Sequence, residues 1–330
     1  MDKIELNIMN KRLTVAITTF NRRESLLIQL KSLEKQGHFD EYQIIIFNNC
    51  SNYNVEDALY SELSSEFMNI ITVHNRKFNV GGDCNIALTF LQVETSWMWL
   101  LSDDDVTMPG SIETVLQDIE KYKDACWLKY SISGFPMFRD IKVNNLVNLF
   151  DSFRNESHEW GEFVFMSNNV YNLNKLANVR GNILYWAMTS YSQVMGPIMA
   201  IKLEHQSMIL RSFALTNYEA GRISYKLHYA YLNFPHILNS SFEMSKQELN
   251  SLRKMFKICP NALLLSLFEV DNKSMRYEFF KQYRLFYIFN CKMSNIYFVF
   301  SFYLFHMLNF NYMDLKRLKA LFKKNCIWKK

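Results

Sequence analysis

The sequence predicts an α/β protein with a mainly parallel sheet and flanking helices, followed by a helical C-terminal region. Two observations carry this prediction. Short apolar runs, rich in β-branched residues, alternate with helical patterns four times in about the first 120 residues. Each of these runs also ends in a cluster of polar residues. Repeated strand, loop and helix units are typical of a parallel sheet whose crossover helices cover both faces.

The first two strands are predicted from their apolar and β-branched residues. Residues 13–20 form the first, and Asn21 is expected to cap a helix in which leucines recur at helical spacing. Residues 43–47 contain three consecutive isoleucines and predict the second strand. Asn48 and Asn49 follow it directly, so polar amides are expected where this strand ends.

The third and fourth strands follow the same pattern. Residues 70–73 predict the third strand, after which Gly81 and Gly82 precede a helical stretch. A glycine pair permits close approach of the backbone to a ligand, and it equally suits a tight turn; both readings stay open. Residues 97–101 are wholly apolar and predict a buried fourth strand, with a helix over residues 111–122.

Three consecutive carboxylates, Asp103, Asp104 and Asp105, come almost directly after the fourth strand. Such like charges repel one another unless solvent or a cation compensates them. A solvated acidic turn before the next helix is the ordinary interpretation. However, ligands of parallel α/β sheets bind outside the carboxyl ends of the strands. Since all four polar clusters follow strands, we expect them to form one shared site.

Beyond residue 129 the pattern is weaker. Residues 162–166 suggest a further strand, a turn follows, and from about residue 172 the spacing is mostly helical. We therefore expect one domain, built on the parallel sheet, over residues 1–220. Residues 221–330 are expected to form a helical region rich in basic and aromatic residues.

The formal charge of +5 is unevenly distributed. Residues 250–330 hold 15 Lys and Arg against 4 Asp and Glu, whereas the remainder holds 22 against 28. Near the C-terminus, leucines at helical spacing interleave with lysines, which is the composition of a helix lying on an anionic membrane surface. A helix packed on the domain with a solvated basic face is the alternative. A nucleic-acid partner is not expected, because no polar basic groove lined by aromatics is evident.

Cysteine placement and the N-terminus indicate the cytoplasm. The 6 cysteines are scattered without a CxxC pair or histidines at zinc-ligand spacing, so free thiols are expected. The N-terminal residues show no basic start followed by an apolar block, and no secretory signal is expected.

Taken in order, the motifs resemble those of inverting family 2 glycosyltransferases with the GT-A fold. The resemblance is greatest to bacterial enzymes that build O-antigen, capsule or lipopolysaccharide, and it covers about the first 125 residues. It rests on TTFNR at residues 18–22, FNNCS at 47–51, NVGGDCN at 79–85 and SDDD at 102–105. The resemblance implies transfer of a sugar from a nucleotide-sugar donor to a glycan or lipid-linked acceptor. It also implies Mn²⁺ or Mg²⁺, which offsets charge on the leaving diphosphate.

The resemblance also implies roles for individual residues. Asp104 and Asp105 are the expected metal ligands. The residues expected to bind the donor are Thr18, Thr19, Phe20, Arg22, Asn48, Asn49, Gly81, Gly82, Asn85, Asp103 and Asp104. Family members usually carry an aspartate after the second strand. Here the amides of Asn48 and Asn49 stand there; they hydrogen-bond without charge, so we expect an altered nucleotide preference.

An inverting transfer needs a base that deprotonates the acceptor hydroxyl. The resemblance implies an acidic residue after the acid cluster, and the choice among the glutamates stays open. Glu159 and Glu162 flank an aromatic residue and a glycine, as suits a wall that stacks on a sugar. The other candidates are Glu219, Glu156 and Glu204.

Two alternatives remain beside this hypothesis. A sugar-phosphate nucleotidyltransferase shares the sheet type, but it is expected to have a glycine-rich loop after the first strand, and residues 19–21 contain no glycine. A non-catalytic subunit that binds a nucleotide sugar at the membrane is the second alternative, since Asn48, Asn49 and the unassigned base leave room for it.

Overall fold

The computed structural model describes residues 11–132, 140–153, 159–187, 189–217, 244–255, 264, 267–268, 272–278, 280–281, 301–308 and 314. The chain divides into two compact units. The first comprises Met1–Ile223 and Met244–Phe256, and the second comprises Ser224–Glu243 and Lys257–Lys330.

The first unit is built on an eight-stranded sheet of order β3-β2-β1-β4-β8-β6-β9-β7. The strands are β1 Leu13–Thr19, β2 Tyr42–Asn48, β3 Ile71–Asn75, β4 Trp97–Ser102, β5 Val106–Thr107, β6 Ala125–Ser131, β7 Ile141–Val143, β8 Asn169–Asn172, β9 Ser207–Ala214 and β10 Thr216–Asn217. Pairing is parallel except that β8 is antiparallel to β4 and β6, and β7 is antiparallel to β9. β5 and β10 form a separate antiparallel pair.

The helices are α1 Arg23–Glu34, α2 Val55–Tyr60, α3 Ser65–Met68, α4 Gly82–Gln92, α5 Ser111–Lys121, α6 Leu146–Ser152, α7 Glu159–Val164, α8 Ala177–Arg180, α9 Ser192–Leu203 and α10 Lys246–Met255, with a 3₁₀ turn at Gly181–Trp186. They cover both faces of the sheet. On one face Val15 of β1 shares a core cluster with Leu30 of α1 and Val115 of α5. On the other face Phe90 of α4 meets Tyr171 of β8, with 4.8 Å between ring centroids. The predicted mainly parallel α/β fold is confirmed.

The register of the central strands brings their polar ends together. Thr18 of β1 pairs with Ser102 of β4, Thr19 pairs with Asn48 of β2, and Asn48 pairs with Asn75 of β3. Because parallel strands all end at the same edge, the loops that follow β1, β2, β3 and β4 meet there. The first five residues of β4 are buried, as a central strand covered on both faces requires.

Two local expectations are wrong. Asn21 does not cap α1: its side chain accepts a hydrogen bond from the Asn52 amide at 2.8 Å, and its φ of 55° turns the chain before the helix. The strand expected over residues 162–166 is also absent, because Glu159–Val164 forms α7. The sheet continues instead with β8, which begins at Asn169.

The second unit is helical in its described segments. Residues 273–278 and 301–307 are helical, and the rings of Phe280 and Phe302 stack with 3.7 Å between centroids. Over the described parts of the chain, every helix is too short or too polar to cross a membrane. The basic helix expected near residues 315–328 lies outside the described residues.

Candidate active site

The acidic cluster at the end of β4 holds a guanidinium. Nη1 of Arg22 donates to Oδ1 of Asp103 and to Oδ2 of Asp104, at 2.8 Å in each case. Asp103 is almost fully buried, with 3% of its side chain exposed, whereas Asp104 is 20% exposed. Ser102, the last residue of β4, also hydrogen-bonds to Asp104. Two carboxylate oxygens therefore converge on one positively charged nitrogen.

Asp105 points to a different partner. The hydroxyl of Ser167 donates to its Oδ2 at 2.6 Å, and the same hydroxyl oxygen accepts the backbone amide of Ser102 at 2.9 Å. Burial raises the pKa of Asp105 to about 7, and the charges of Asp104 and Asp103 act in the same direction. Ser167 thus fixes Asp105 against the end of β4, apart from the oxygens that meet Arg22.

Charge and burial oppose each other in this cluster. Burial raises the pKa of Asp103, and the Arg22 guanidinium acts against that rise. Burial acts to lower the pKa of Arg22, but the charges of Asp103 and Asp104 raise it above its ordinary value. Arg22 is therefore the local counter-ion that makes a buried Asp103 carboxylate tolerable.

Asparagines join the loops after β2 and β3. Nδ2 of Asn49 donates to Oδ1 of Asn79 at 2.8 Å, and Oδ1 of Asn49 accepts the amide of Val80 at 2.9 Å. Asn48 donates to Asn75 of β3 at 2.8 Å. The side chains of Asn48 and Asn49, which were expected to bind the donor, are thus buried and hydrogen-bonded to neighbouring strand and loop residues. Their amides stabilise the loops that surround the site.

Gly81 and Gly82 lie exposed at the start of α4. Gly81 has a φ of 85°, which side chains of L-residues rarely adopt, and its amide donates to Asn79 at 2.8 Å. A Cβ at either glycine meets no atom within 4 Å. The turn requires glycine at 81, while open space at both positions leaves room for a ligand.

Asn85 is placed beneath this loop. Its Nδ2 donates to the carbonyl of Phe47 at 2.9 Å, and its Oδ1 accepts from Nε of Arg76. Only 2% of Asn85 is exposed. The side chain therefore binds the fold, and the structure does not turn it towards open space.

The β1 end completes the edge. Thr18 is half-buried and Thr19 is buried, whereas the ring of Phe20 is 40% exposed. The amide of Asn21 donates to the hydroxyl of Ser51 at 2.9 Å, which joins this loop to the loop after β2. Phe20 is thus the apolar surface at this end of the site.

A contact between α4 and the segment before α9 was not anticipated from the sequence. The Ser190 hydroxyl donates to Oδ2 of Asp83 at 2.9 Å. Nε2 of Gln193 then donates to the carbonyl of Val164 at 2.8 Å, and residue 164 leads to Ser167 beside Asp105. Together with the hydrogen bonds described above, these contacts link six segments at the carboxyl edge of the sheet into a closed ring. We call it the loop ring; its segments are residues 20–22, 48–52, 79–83, 102–105, 164–167 and 190–193.

The predicted base candidates lie in different settings. Glu162 in α7 is 3% exposed, and its charge acts on Lys129, which is fully buried in β6. Glu159 opens α7. Glu204 follows α9 and accepts a hydrogen bond from Asn178 at 3.1 Å, at the end of that helix away from Ser190. Glu219, like Glu156, lies outside the described residues.

Comparison with known proteins assigns this architecture. The sequence profile of Glycosyl transferase family 2 matches residues 14–177, about half of the chain. The chain is a glycosyltransferase with a GT-A fold, and family 2 is the family it matches. The match includes β1 to β4, the acidic cluster and Ser167. No curated protein sequence matches the chain.

Solved structures share the fold of this glycosyltransferase at low sequence identity. TarS residues 1–349 from S. aureus is 13% identical, with a TM-score of 0.53 over 80% of this chain and 82% of that one. TarS in complex with UDP-GlcNAc is 14% identical, with a TM-score of 0.51 over 78% and 80%. The mannosyltransferase PcManGT from Pyrobaculum calidifontis, in complex with GDP-Man and Mn²⁺, is 10% identical with a TM-score of 0.53 over 95% and 88%.

The acidic cluster of this glycosyltransferase fits a divalent cation. The Arg22 nitrogen occupies the point on which oxygens of Asp103 and Asp104 converge, so a positive centre is already accommodated there. Mg²⁺ is typically bound through one or two carboxylates together with substrate phosphates. Within the described residues, no group of three or more His, Cys, Asp or Glu is arranged to hold a metal ion. The remaining ligands would have to come from a diphosphate and water.

Proposed function

We propose that this glycosyltransferase moves a sugar from a nucleotide-sugar donor to a glycan or lipid-linked acceptor, with inversion and with a divalent metal ion. The convergence of Arg22, Asp103 and Asp104 inside the loop ring carries the proposal. A diphosphate and its metal need one anionic and one cationic partner, and this cluster offers both. The complexes of TarS with UDP-GlcNAc and of PcManGT with GDP-Man and Mn²⁺ support the donor class.

The described side chains suggest how the donor is held. When bound at Asp104 with Asp103 or Asp105, the metal offsets negative charge that develops on the leaving diphosphate. Arg22 is well placed to contact the same diphosphate, since its side chain is partly exposed. The exposed ring of Phe20 offers a stacking surface for the nucleobase. Gly81 and Gly82 let the donor approach the backbone of the loop ring closely.

The asparagine side chains contribute to donor binding by holding the loops of the site in place. Asn48 and Asn49 join the loops that follow β2 and β3, and Asn85 supports the carbonyl of Phe47 from below. We propose that these asparagines position Thr18, Thr19 and the loop of Gly81 and Gly82. We also propose that the uncharged amides of Asn48 and Asn49 alter which nucleobase the donor site prefers.

We infer that the acceptor belongs to a bacterial surface polysaccharide of the O-antigen, capsule or lipopolysaccharide kind. In this proposal residues 1–220 form the catalytic domain and residues 221–330 bring it to the inner face of the cytoplasmic membrane. The concentration of Lys and Arg among the last 81 residues, 15 against 4 acids, is what supports this location.

A panel of nucleotide sugars, beginning with UDP-GlcNAc and GDP-Man, tests the proposal with Mn²⁺ and membrane-extracted acceptor. We expect diphosphate release that depends on the metal, and a loss of about 100-fold or more in kcat/KM for the double variant Asp103→Asn/Asp104→Asn. Asp105→Asn, made separately, reports whether Asp105 is a ligand. Asp124→Asn, an exposed acid away from the loop ring, is the matched control. Turnover that survives EDTA would contradict the metal mechanism.

A further inference from the structure

The second unit contains a helix whose exposed face is apolar. Residues 301–307 are helical, and the amide of Leu308 donates to the carbonyl of Leu304 at 3.0 Å, which continues the last turn. Leu304, Met307 and Leu308 are 39%, 76% and 56% exposed. Their spacing of three and four residues places these side chains on one side of the helix. A helix face in water ordinarily carries polar and charged residues, so this face indicates a partner.

The opposite side of the helix is packed within the second unit. Phe302 is fully buried, and its ring stacks on that of Phe280 with 3.7 Å between centroids. The ring of Phe302 is also 5.3 Å from that of His306, and the ring of Phe305 is 6.3 Å from that of Phe268. The helix is therefore fixed along one side and presents the other as a surface.

The chain around this helix lacks charged side chains. Residues 293–313 contain no Asp, Glu, Lys or Arg. Basic residues are nevertheless abundant on either side of this stretch, since residues 250–330 hold 15 Lys and Arg against 4 Asp and Glu. The sequence thus places an uncharged, apolar surface within the most basic part of the chain.

Positive charge also lies beside the helix itself. Lys273, Arg276 and Tyr277 belong to one short helical segment, and the Tyr277 ring is 5.7 Å from the ring of His306. Burial lowers the pKa of His306, and the charges of Lys273 and Arg276 act in the same direction. Lys273 is exposed. Cationic groups are therefore near the residue that precedes Met307.

An anionic lipid surface matches both features. Its headgroups attract basic residues, and its acyl boundary accepts apolar side chains from a helix that lies along the surface. A second copy of this chain matches them less well, because both copies carry the same excess of Lys and Arg in this part and like charges repel.

We propose that Leu304, Met307 and Leu308 insert into the acyl boundary of an anionic membrane, while Lys273 and the basic residues of the C-terminal segment bind its headgroups. This rests on the proposed function, in which residues 221–330 bring the enzyme to its acceptor. Insertion is shallow, because the opposite side of the helix stays packed within the protein. A small apolar face or a basic segment alone binds weakly, so stable attachment needs both.

The triple variant Leu304→Gln/Met307→Gln/Leu308→Gln tests insertion without changing the net charge. We expect it to bind vesicles of equal parts phosphatidylglycerol and phosphatidylcholine about tenfold or more weakly than the wild type, because less apolar surface leaves water. Cosedimentation with the vesicles measures this affinity, and circular dichroism reports whether the variant is folded.

Exposed apolar residues of the first unit provide the matched control. The variant Ile28→Gln/Leu184→Gln/Leu203→Gln changes side chains that are 46%, 42% and 49% exposed. It removes comparable apolar surface elsewhere, so it should bind the same vesicles within about twofold of the wild type.

Met307→Trp gives a direct readout of insertion. Lipids brominated on their acyl chains quench an indole that reaches those chains. The emission that Met307→Trp adds to that of the wild type should therefore fall in brominated vesicles, whereas the emission added by Leu203→Trp should not. A protein held only by its charge would reach the vesicle surface without this quenching.

The outcomes are distinct. Unchanged vesicle binding by the folded triple variant, or an unquenched Met307→Trp, overturns the proposal; if the triple variant does not fold, Met307→Trp decides. A dimeric wild type and a monomeric triple variant that bind vesicles equally would identify an interface between copies, which also overturns it. A wild type that turns over no nucleotide sugar contradicts the proposed transfer instead, whatever the vesicles show.

Discussion

At the scale of single residues, Arg22 determines how the acidic cluster is tolerated. Asp103 is nearly inaccessible to water, so its charge depends on the guanidinium 2.8 Å away. The same nitrogen compensates Asp104. A divalent cation that binds these two oxygens must therefore displace Arg22, and a diphosphate offers Arg22 a new anionic partner. Metal and nucleotide are thus expected to bind cooperatively.

Arg22→Met tests this coupling. Without nucleotide, Mn²⁺ should bind the variant about tenfold more tightly than the wild type, because no guanidinium competes for the carboxylates. In the presence of Mn²⁺, UDP or GDP should bind about tenfold more weakly, because a charge-assisted partner is lost. Isothermal titration calorimetry measures both affinities.

Arg23→Met is the matched control, since Arg23 is exposed at the next position. It should leave both affinities within about twofold of the wild type. Thermal unfolding should accompany the measurements, because Arg22→Met leaves Asp103 and Asp104 without their counter-ion. Unchanged or weaker Mn²⁺ binding by a folded Arg22→Met protein would show that Arg22 does not compete with the metal.

The sequence predicts the position of these residues better than their contacts. Strand ends rich in Asn, Asp and Arg are visible as local patterns, and the parallel topology brings them to one edge. The pairing of Arg22 with Asp103 spans 81 residues, and that of Asp83 with Ser190 spans 107. No local pattern encodes such contacts, so the sequence predicts neither pairing.

At the scale of elements, prediction succeeds where burial leaves a continuous signal. The strands expected at residues 13–20, 43–47, 70–73 and 97–101 are found with ends shifted by two residues at most. β1, β2 and β4 are interior strands marked by apolar runs, whereas β3 lies at the edge of the sheet and is marked by its β-branched residues. β8 is only four residues long and carries two asparagines, and its place depends on partners in β4 and β6.

A buried polar network around Lys129 of β6 includes Asn169 of β8 and Asn168, the residue before it. Nζ of Lys129 donates to Oδ1 of Asn168 at 2.9 Å and to Oδ1 of Asn169 at 3.0 Å. It also lies 5.4 Å from the centroid of the Trp127 ring. Burial lowers the pKa of Lys129 well below its ordinary value, and the charge of Glu162 acts against this. The network therefore joins β6, β8 and α7 behind the acidic cluster.

Glu162→Gln should destabilise the protein by about 3 kcal/mol below the folded-state pKa of Lys129, because it removes the charge that favours the buried ammonium. The pKa of Lys129 should then fall further. Once pH exceeds the folded-state pKa of Lys129 in the wild type, both folded proteins carry a neutral amine, so the stability difference between them should shrink as pH rises. Urea unfolding at about pH 6 and pH 9 measures this slope.

Two further variants sharpen the experiment. Glu56→Gln changes an exposed acid and should alter stability by no more than about 0.5 kcal/mol. Lys129→Met combined with Glu162→Leu removes both charges and should be less destabilising than Glu162→Gln alone. A Glu162→Gln variant as stable as the wild type at pH 6 would show that the charge of Glu162 does not support Lys129.

At the scale of the whole molecule, charge separates the chain into two parts. Outside residues 250–330 the net charge is −6, from 22 basic and 28 acidic residues, whereas residues 250–330 carry 15 basic and 4 acidic residues. An acidic remainder is repelled by an anionic membrane, so attraction must come from the basic end. This asymmetry is fully encoded in the sequence. The arrangement of its terminal residues lies outside the described part of the chain.

Replacing Lys316, Arg317, Lys319, Lys323 and Lys324 with Gln tests whether this end binds membrane. Each basic residue near an anionic surface contributes about 1 kcal/mol, so the five changes should weaken binding to phosphatidylglycerol vesicles by about 1000-fold or more. Neutral phosphatidylcholine vesicles should bind neither protein strongly, and added salt should release the wild type.

Replacing five basic residues of the first unit, Lys31, Lys35, Lys77, Lys121 and Lys123, is the matched control, because it removes the same charge elsewhere. If both sets weaken vesicle binding equally, attraction follows net charge alone and the C-terminus is not a dedicated membrane-binding segment. If only the terminal set does so, with activity on a water-soluble acceptor unchanged, that segment brings the enzyme to its acceptor without taking part in the transfer.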